Sequence, residues 1–298
     1  MSRLRLGTRG SALAIVQAEL VAGALHAAGV ESTIVPVVTT GDRRRAAPDK
    51  EKWVKELEAA LLAGEIDLAV HSAKDVPGTL PDGLELAGAL PRADPFDALC
   101  GASSLGALAV GARVGTSSLR RRAQLLAARP DLDVVDVRGN VDTRLRRLAD
   151  GDVDALVLAA AGLHRLGRSD AAGTVLSDLV PAPGQGVIAL EARTGDARAA
   201  EAAAAVTHPA TRTALRCERA LVVALDATCK TPVGAHATLD GDTLTVAAFA
   251  GLPDGSAWVR DLLSGPAAEP ERLGAACAER VLVAGGGELL REAESVAS

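Results

Sequence analysis

The sequence has no tyrosine and only four aromatic residues, Trp53, Phe96, Phe249 and Trp258. Binding of single-stranded nucleic acid on stacked platforms needs aromatic faces, so this class is disfavoured. Lysine is also scarce, with five lysines against 27 arginines, and the net charge is −6. The chain is therefore not a cation that coats nucleic acid, and no nucleic-acid partner is expected. No apolar run approaches the ~18 residues of a membrane span, and no membrane partner is expected. The N-terminal Met1-Ser2-Arg3-Leu4-Arg5 lacks the apolar stretch of a signal peptide. The four cysteines, Cys100, Cys217, Cys229 and Cys277, form no CxxC pair. Reduced thiols in a cytoplasmic protein are the expectation. None of His26, His71, His164, His208 and His236 has metal-ligand spacing with another, so no metal is expected.

What is present is an α/β pattern in a chain too long for one domain, since domains run roughly 100–200 residues. Arg3–Leu6, Thr33–Val38 and Ile66–Val70 read as strands, alternating with helices after Ser11 and over Lys52–Ala63. A second series begins near Pro95, with strands predicted at Ala109–Val114, Val134–Val137 and Ala155–Leu158. Such alternation implies parallel sheets with both faces covered. Pro181-Ala182-Pro183-Gly184-Gln185-Gly186 reads as a crossing linker. After about Thr207 a long helix, Ala210–Leu225, leads to an antiparallel meander near Gly234–Leu239, Leu244–Ala250 and Ala257–Leu263, closed by a helix over Pro270–Leu282. The expected organisation is α/β domain 1 over 1–92 and 187–207, α/β domain 2 over 93–186, and an α+β domain over 208–298.

Ligands of open parallel sheets bind beyond the carboxyl ends of strands, and the polar clusters fall there. Thr8-Arg9-Gly10-Ser11 follows the first strand, His71-Ser72-Ala73-Lys74-Asp75 the third, and Gly115-Thr116-Ser117-Ser118-Leu119-Arg120-Arg121 the strand at 109–114. Arg138-Gly139-Asn140 with Arg144 follows the next, and His164-Arg165 the one after. A helix start rich in hydroxyls offers free N–H groups and the positive dipole end together. Each cluster alone reads equally as helix caps and solvated arginines. Four arginine-bearing clusters at successive strand ends point to a ligand with several negative groups. Asp75 beside Lys74 stays ionised and could pass protons or steady a positive intermediate, or simply end a strand before Pro77. Cys229 sits in a loop beside Lys230, whose ammonium could lower its thiol pKa, whereas Cys100, Cys217 and Cys277 read as core residues. Arg43–Lys50 reads as a polar loop, either a lid or merely solvated.

Together these segments resemble the porphobilinogen deaminase (hydroxymethylbilane synthase) family. The carriers are Leu6–Ser11 with Ala14 and Gln17, Val54–Glu58, Asp67–Pro77, Gly115–Arg121, Arg138–Asn140 with Thr143–Leu145, Ala161–Leu163 with Arg165–Gly167, and Pro183–Gly186. They are collinear over nearly the whole chain. The resemblance implies three domains, the first two like type II periplasmic binding proteins with the site in the cleft between them, and a monomer. It implies that four porphobilinogen molecules are joined head to tail, with loss of four ammonia molecules, to give 1-hydroxymethylbilane for tetrapyrrole biosynthesis. It assigns carboxylate binding to Arg9, Ser11, Lys74, Arg120, Arg121, Arg138, Arg144 and Arg165, and hydrogen bonding to Ser72, Thr116, Ser117 and Ser118. Gln17, Gly139, Asn140 and Gln185 join the cofactor- and substrate-binding set. Asp75 becomes the catalytic carboxylate, and Cys229 the thioether anchor of a dipyrromethane cofactor.

Two departures stand out. The family commonly has glycine just before this cysteine, where Ala227-Thr228 stand here, so a differently built loop is expected if that glycine has positive φ. The family's glycines and phenylalanine before Val54 are replaced by Lys50-Glu51-Lys52-Trp53. The rival readings are a cytoplasmic anion-binding or sensor protein of related fold, which leaves Cys229, Asp75 and the third domain unexplained, and a paralogue with impaired turnover. A nucleotide enzyme lacks its phosphate-binding glycine motifs.

Overall fold

The computed structural model describes residues 3–37, 54–228 and 231–296. The first segment holds β1 (Leu4–Arg9), α1 (Ala12–Ala27), β2 (Ser32–Val37), α2 (Lys55–Leu62), β3 (Leu68–Ser72), a 3-10 turn (Ala73–Asp75) and β4 (Leu84–Ala89). The middle of the chain holds β5 (Asp97–Cys100), β6 (Arg113–Gly115), α3 (Leu119–Ala128), β7 (Asp133–Val135), α4 (Val141–Ala149), β8 (Ala155–Ala159), α5 (Ala160–Arg165) and β9 (Ala172–Leu176). Then come β10 (Ile188–Arg193), α6 (Ala197–Ala205), α7 (Pro209–Ala224), β11 (Val233–Asp240), β12 (Thr243–Gly251), β13 (Trp258–Pro266), α8 (Pro270–Val283) and α9 (Gly286–Val296).

The chain divides into two units, Met1–Ala93 with Gly186–Arg212, and Asp94–Gln185 with Thr213–Ser298. Unit 1 is built on a sheet of order β2-β1-β3-β10-β4. β1 runs parallel to β2 and β3, while β10 is antiparallel to β3 and β4. Helix α1 forms because Ser11 caps it and its apolar residues recur at helical spacing, burying Ala18, Val21 and Leu25. Those side chains and Ala199, Ala202 and Ala203 of α6 cover Leu6, Leu68, Val70, Ile188 and Leu190 on one face of the sheet. On the other face Leu57, Ala60 and Leu61 of α2 pack with Ile66, Ala69 and Leu84.

Unit 2 contains a sheet of the same design, β7-β6-β8-β5-β9, with β6 parallel to β7 and β8 and β5 antiparallel to β8 and β9. The parallel pairing that the alternation implies is present in each sheet, with antiparallel pairings added to it. Helical crossovers make β1–β3 and β6–β8 parallel. β5 and β10 each follow a passage of the chain from one unit into the other, enter without such a crossover, and run the opposite way. Unit 2 also carries the antiparallel sheet β11-β12-β13. Its inner face buries Leu244, Val246 and Ala248 against Cys217 and Leu221 of α7, Cys277 and Val281 of α8, and Leu290 of α9. Burial pushes the Cys217 thiol up to about 12 and the Cys100 and Cys277 thiols up to about 11, as suits core thiols that stay protonated. The fold is the expected α/β pair of sheets with a C-terminal α+β part. Among the described residues no helix is long and apolar enough to cross a membrane.

Candidate active site

In unit 1, β1 and β3 are parallel neighbours, so the loops after them leave the same edge of the sheet. Arg9 ends β1, half-buried. Thr8, fully buried, donates from Oγ1 to the Ala14 carbonyl at 3.0 Å, and the Ser11 hydroxyl accepts from the Ala14 amide at 3.3 Å. The start of α1 is therefore bound to the end of β1. One turn further along α1, buried Gln17 donates Nε2–H to Ser72 Oγ at 2.8 Å, at the last residue of β3. Lys74 and Asp75 follow in the 3-10 turn, both half-buried. Arg9, Ser11, Gln17, Ser72, Lys74 and Asp75 thus belong to one strand-end cluster.

In unit 2, β7, β6 and β8 are consecutive parallel strands, and their following loops again share one edge. Thr116 Oγ1 accepts from the Ser118 amide at 3.2 Å, and Ser118 caps α3 by accepting from the Arg121 amide at 3.4 Å. Asn140 caps α4, its Oδ1 accepting from the Thr143 amide at 2.9 Å. Gly139 holds φ at 116°, and a Cβ there would stand 3.0 Å from Thr143 Cγ2, so a side chain would meet strain twice over. Arg144 bridges the two loops, donating to the Gly139 carbonyl at 2.8 Å and to exposed Ser117 Oγ at 3.2 Å. Arg138 is exposed and pairs with Asp136 at 2.6 Å. Arg165 closes α5, half-buried, and burial lowers its pKa from the usual value. The edge offers hydroxyls, helix N-termini and guanidinium groups together, a donor set suited to carboxylates.

Arg120 and Arg121 are held differently from the other arginines. They are 4% and 6% exposed and converge on Asp97, which is fully buried on β5. Arg120 Nη2 donates to Asp97 Oδ2 at 2.8 Å and Nη1 to the Val180 carbonyl at 2.8 Å. Arg121 Nε donates to Asp97 Oδ1 at 3.0 Å and Nη1 to the Val157 carbonyl at 2.8 Å. Gln185, 1% exposed, adds Nε2–H bonds to Asp97 Oδ1 at 2.8 Å and to the Pro95 carbonyl at 2.7 Å. Burial alone would raise the Asp97 pKa, but Arg120 and Arg121 outweigh it, and with the Gln185 bond they hold the carboxyl well below the usual range. Sequence reading missed Asp97; its signal was an acidic residue inside the otherwise apolar Phe96-Asp97-Ala98-Leu99-Cys100. Glu218 on α7 was missed as well. It is fully buried, accepting from the Gly184 amide and the Ala237 amide at 2.7 Å each.

Cys229 and its neighbour Lys230 lie outside the described residues, as do the Arg43–Lys50 loop and Trp53. The flanks of the cysteine are described. Thr231 Oγ1 donates to the Thr228 carbonyl at 2.7 Å and its amide does so at 3.2 Å, while Thr228 Oγ1 donates to Glu294 of α9 at 3.0 Å. Among the described residues the only non-glycine with positive φ is Asp226, at 50°. Ala227 and Thr228 need no left-handed backbone, so the absence of glycine there carries no strain at those two positions.

Residues 4–201 match the family model described as porphobilinogen deaminase, dipyromethane cofactor binding domain, and residues 213–283 match porphobilinogen deaminase, C-terminal domain. Porphobilinogen deaminase of Trichlorobacter lovleyi is 45% identical over 300 residues, covering 97% of this chain and 96% of that protein. The protein of the same name from Roseiflexus castenholzii is 48% identical over 298 residues, covering 96% and 98%. Among solved structures, the methionine binding protein MetQ is 17% identical with a TM-score of 0.46, covering 68% of this chain and 89% of that one.

Proposed function

Because the chain belongs to the porphobilinogen deaminase family, we propose that it is a hydroxymethylbilane synthase working as a cytoplasmic monomer. It joins four porphobilinogen molecules head to tail, releases four ammonia molecules and yields 1-hydroxymethylbilane for tetrapyrrole biosynthesis. The observation that carries this reading is the 3-10 turn at the end of β3, where one carboxylate, Asp75, stands next to a cation, Lys74, in the strand-end cluster of unit 1. Asp75 would take and return the proton that accompanies loss of ammonia, and its negative charge would meet the positive charge that develops on the reacting pyrrole.

A dipyrromethane group fits the donor set of unit 2, since its acetate and propionate arms need hydroxyl, amide and guanidinium donors. Thr116, Ser117, Ser118, Arg138, Asn140, Arg144 and Arg165 would hold it, with Gly139 allowing close backbone approach. Arg120 and Arg121, turned towards Asp97, would add positive charge from the interior, and Gln185 would steady Asp97. Arg9, Ser11, Gln17 and Ser72 would serve the same role in unit 1. The group, linked by thioether to Cys229, supplies a primer that stays with the enzyme. Intact mass followed by peptide mapping tests this. The expected mass excess equals two porphobilinogen units less two ammonia molecules, localised to Cys229 and absent from Cys229→Ser. A chain that gains no pyrrole on incubation with porphobilinogen is instead an anion-binding protein.

A further inference from the structure

The residue before Ser72 is buried and ionisable, and the chemistry above does not use it. His71 Nε2 lies 2.8 Å from Glu191 Oε2, with side chains 4% and 0% exposed. In the antiparallel β3–β10 ladder His71 faces Ala189, and Glu191 faces Ala69. Side chains alternate between faces along a strand, so His71 and Glu191 share the face of Ala69, which packs with α2. Arg193, next on that face of β10, donates to the Leu61 and Ile66 carbonyls and pairs with Asp196. On the opposite face, Ser72 is held by Gln17 of α1. The end of β3 is therefore gripped by a polar contact on each side.

Stability does not account for the His71–Glu191 pair. Replacing both partners of a buried hydrogen-bonded pair with apolar residues of similar shape is often nearly neutral or stabilising. Glu191 Oε1 is buried with no hydrogen-bond partner among the described residues, which adds a desolvation cost. A directional pair does supply register. At this border the other two residues of the face, Ala69 and Ala189, have small side chains that would pack much the same after a slip of two residues. Even a shift of about 1 Å at the turn that follows costs up to about 100-fold in rate.

We propose that His71 and Glu191 are positioning residues that pin β3 against β10 and so fix where the turn presents Asp75. The proposal rests on the reading of Asp75 given above. It is tested in the full-length, pyrrole-loaded enzyme with Glu191→Gln and the double variant His71→Leu/Glu191→Leu, following melting temperature, KM and kcat. The double variant is expected to melt like the wild type and keep its KM for porphobilinogen, while kcat falls roughly 10- to 100-fold, as for a small misplacement of a reacting group. Glu191→Gln keeps an acceptor for His71 Nε2–H and is expected to hold kcat within about threefold of the wild type, because the hydrogen bond rather than the charge sets the position. Wild-type kcat in the double variant overturns the proposal. So does a double variant that fails to fold, which would make the pair a stability element, or a Glu191→Gln enzyme as slow as the double variant. Asp75→Asn is measured alongside. Full turnover in that variant would sink the role of Asp75 itself, an outcome distinct from any result with the pair.

Discussion

Asp97→Asn removes one negative charge and little volume from the centre of unit 2. In the wild type the carboxylate faces two guanidinium groups and a carboxamide, with every contact at 2.8–3.0 Å. Asparagine keeps one acceptor oxygen but turns an amide towards donors, leaving Arg120 and Arg121 as buried charges 4% and 6% exposed without their counter-ion. Breaking a buried pair from one side costs about 3–5 kcal/mol. For a folding unit of 150–250 residues each kcal/mol lowers the melting temperature by about 2–4 °C, so a fall of about 6–20 °C is expected. Thermal unfolding followed by circular dichroism measures it. The sign of the pH dependence follows from the depressed pKa. Asp97 stabilises the fold fully above its ordinary value of 3.8 and loses that contribution as pH falls through the lower folded value. The gap between wild type and variant should therefore be flat from pH 8 to pH 5. A melting point within about 2 °C of wild type, less than 1 kcal/mol by the same scale, would refute the claim that Asp97 serves as counter-ion to the two arginines. A gap that shrinks between pH 8 and pH 5 would refute the assignment of the charge to Asp97.

Asp75→Asn is expected to keep bound pyrroles, seen by intact mass, while turnover falls about 10²–10⁴-fold, the usual worth of a positioned acid–base group; near-normal release of hydroxymethylbilane would end that role. Gly274→Ala places a Cβ 2.1 Å from the Cys217 carbonyl oxygen, backbone that cannot rotate aside. Helices α7 and α8 must then separate, at about 1–3 kcal/mol, read as a lower urea midpoint; an unchanged midpoint would mean that this contact is not tight.

The elements legible in the sequence were those whose period is set by their own neighbours. Helix α1 has its cap at Ser11 and an apolar face at helical spacing, and the meander β11–β13 has turns at Asp240-Gly241 and Pro253-Asp254-Gly255, where Gly241 and Gly255 take positive φ. β5 and β10 were not read as strands. Asp97-Ala98-Leu99-Cys100 and Ile188–Arg193 are short apolar runs with a carboxylate inside, and only their partners in the sheet decide their conformation. The strand-end clusters were legible because Ser-Ser-Leu-Arg and Gly-Asn-Val-Asp announce helix starts without reference to the rest of the chain. Asp97, Glu191 and Glu218 were not. Each gains its meaning from donors 19 to 120 residues away in sequence, which no local pattern records.

The arginines show why residue type alone could not sort the site. Arg120 and Arg121 stand in the same Ser-Ser-Leu-Arg-Arg run as the hydroxyls of the strand-end edge, yet helical geometry turns them inward. Residues two and three positions past the Ser118 cap lie on the face of α3 that buries Ala123 and Gln124. There the only way to bury two cations is to bring a carboxylate to them, and β5 supplies Asp97. Arg144 starts from the same kind of position, four residues past the Asn140 cap, but α4 buries Leu145 alone, so its guanidinium reaches back across the loop to Gly139 and Ser117 at the edge. The same sequence signal, an arginine just inside a capped helix after a strand, thus yields an interior counter-ion in one loop and an edge donor in the next. The face that each helix buries makes the difference.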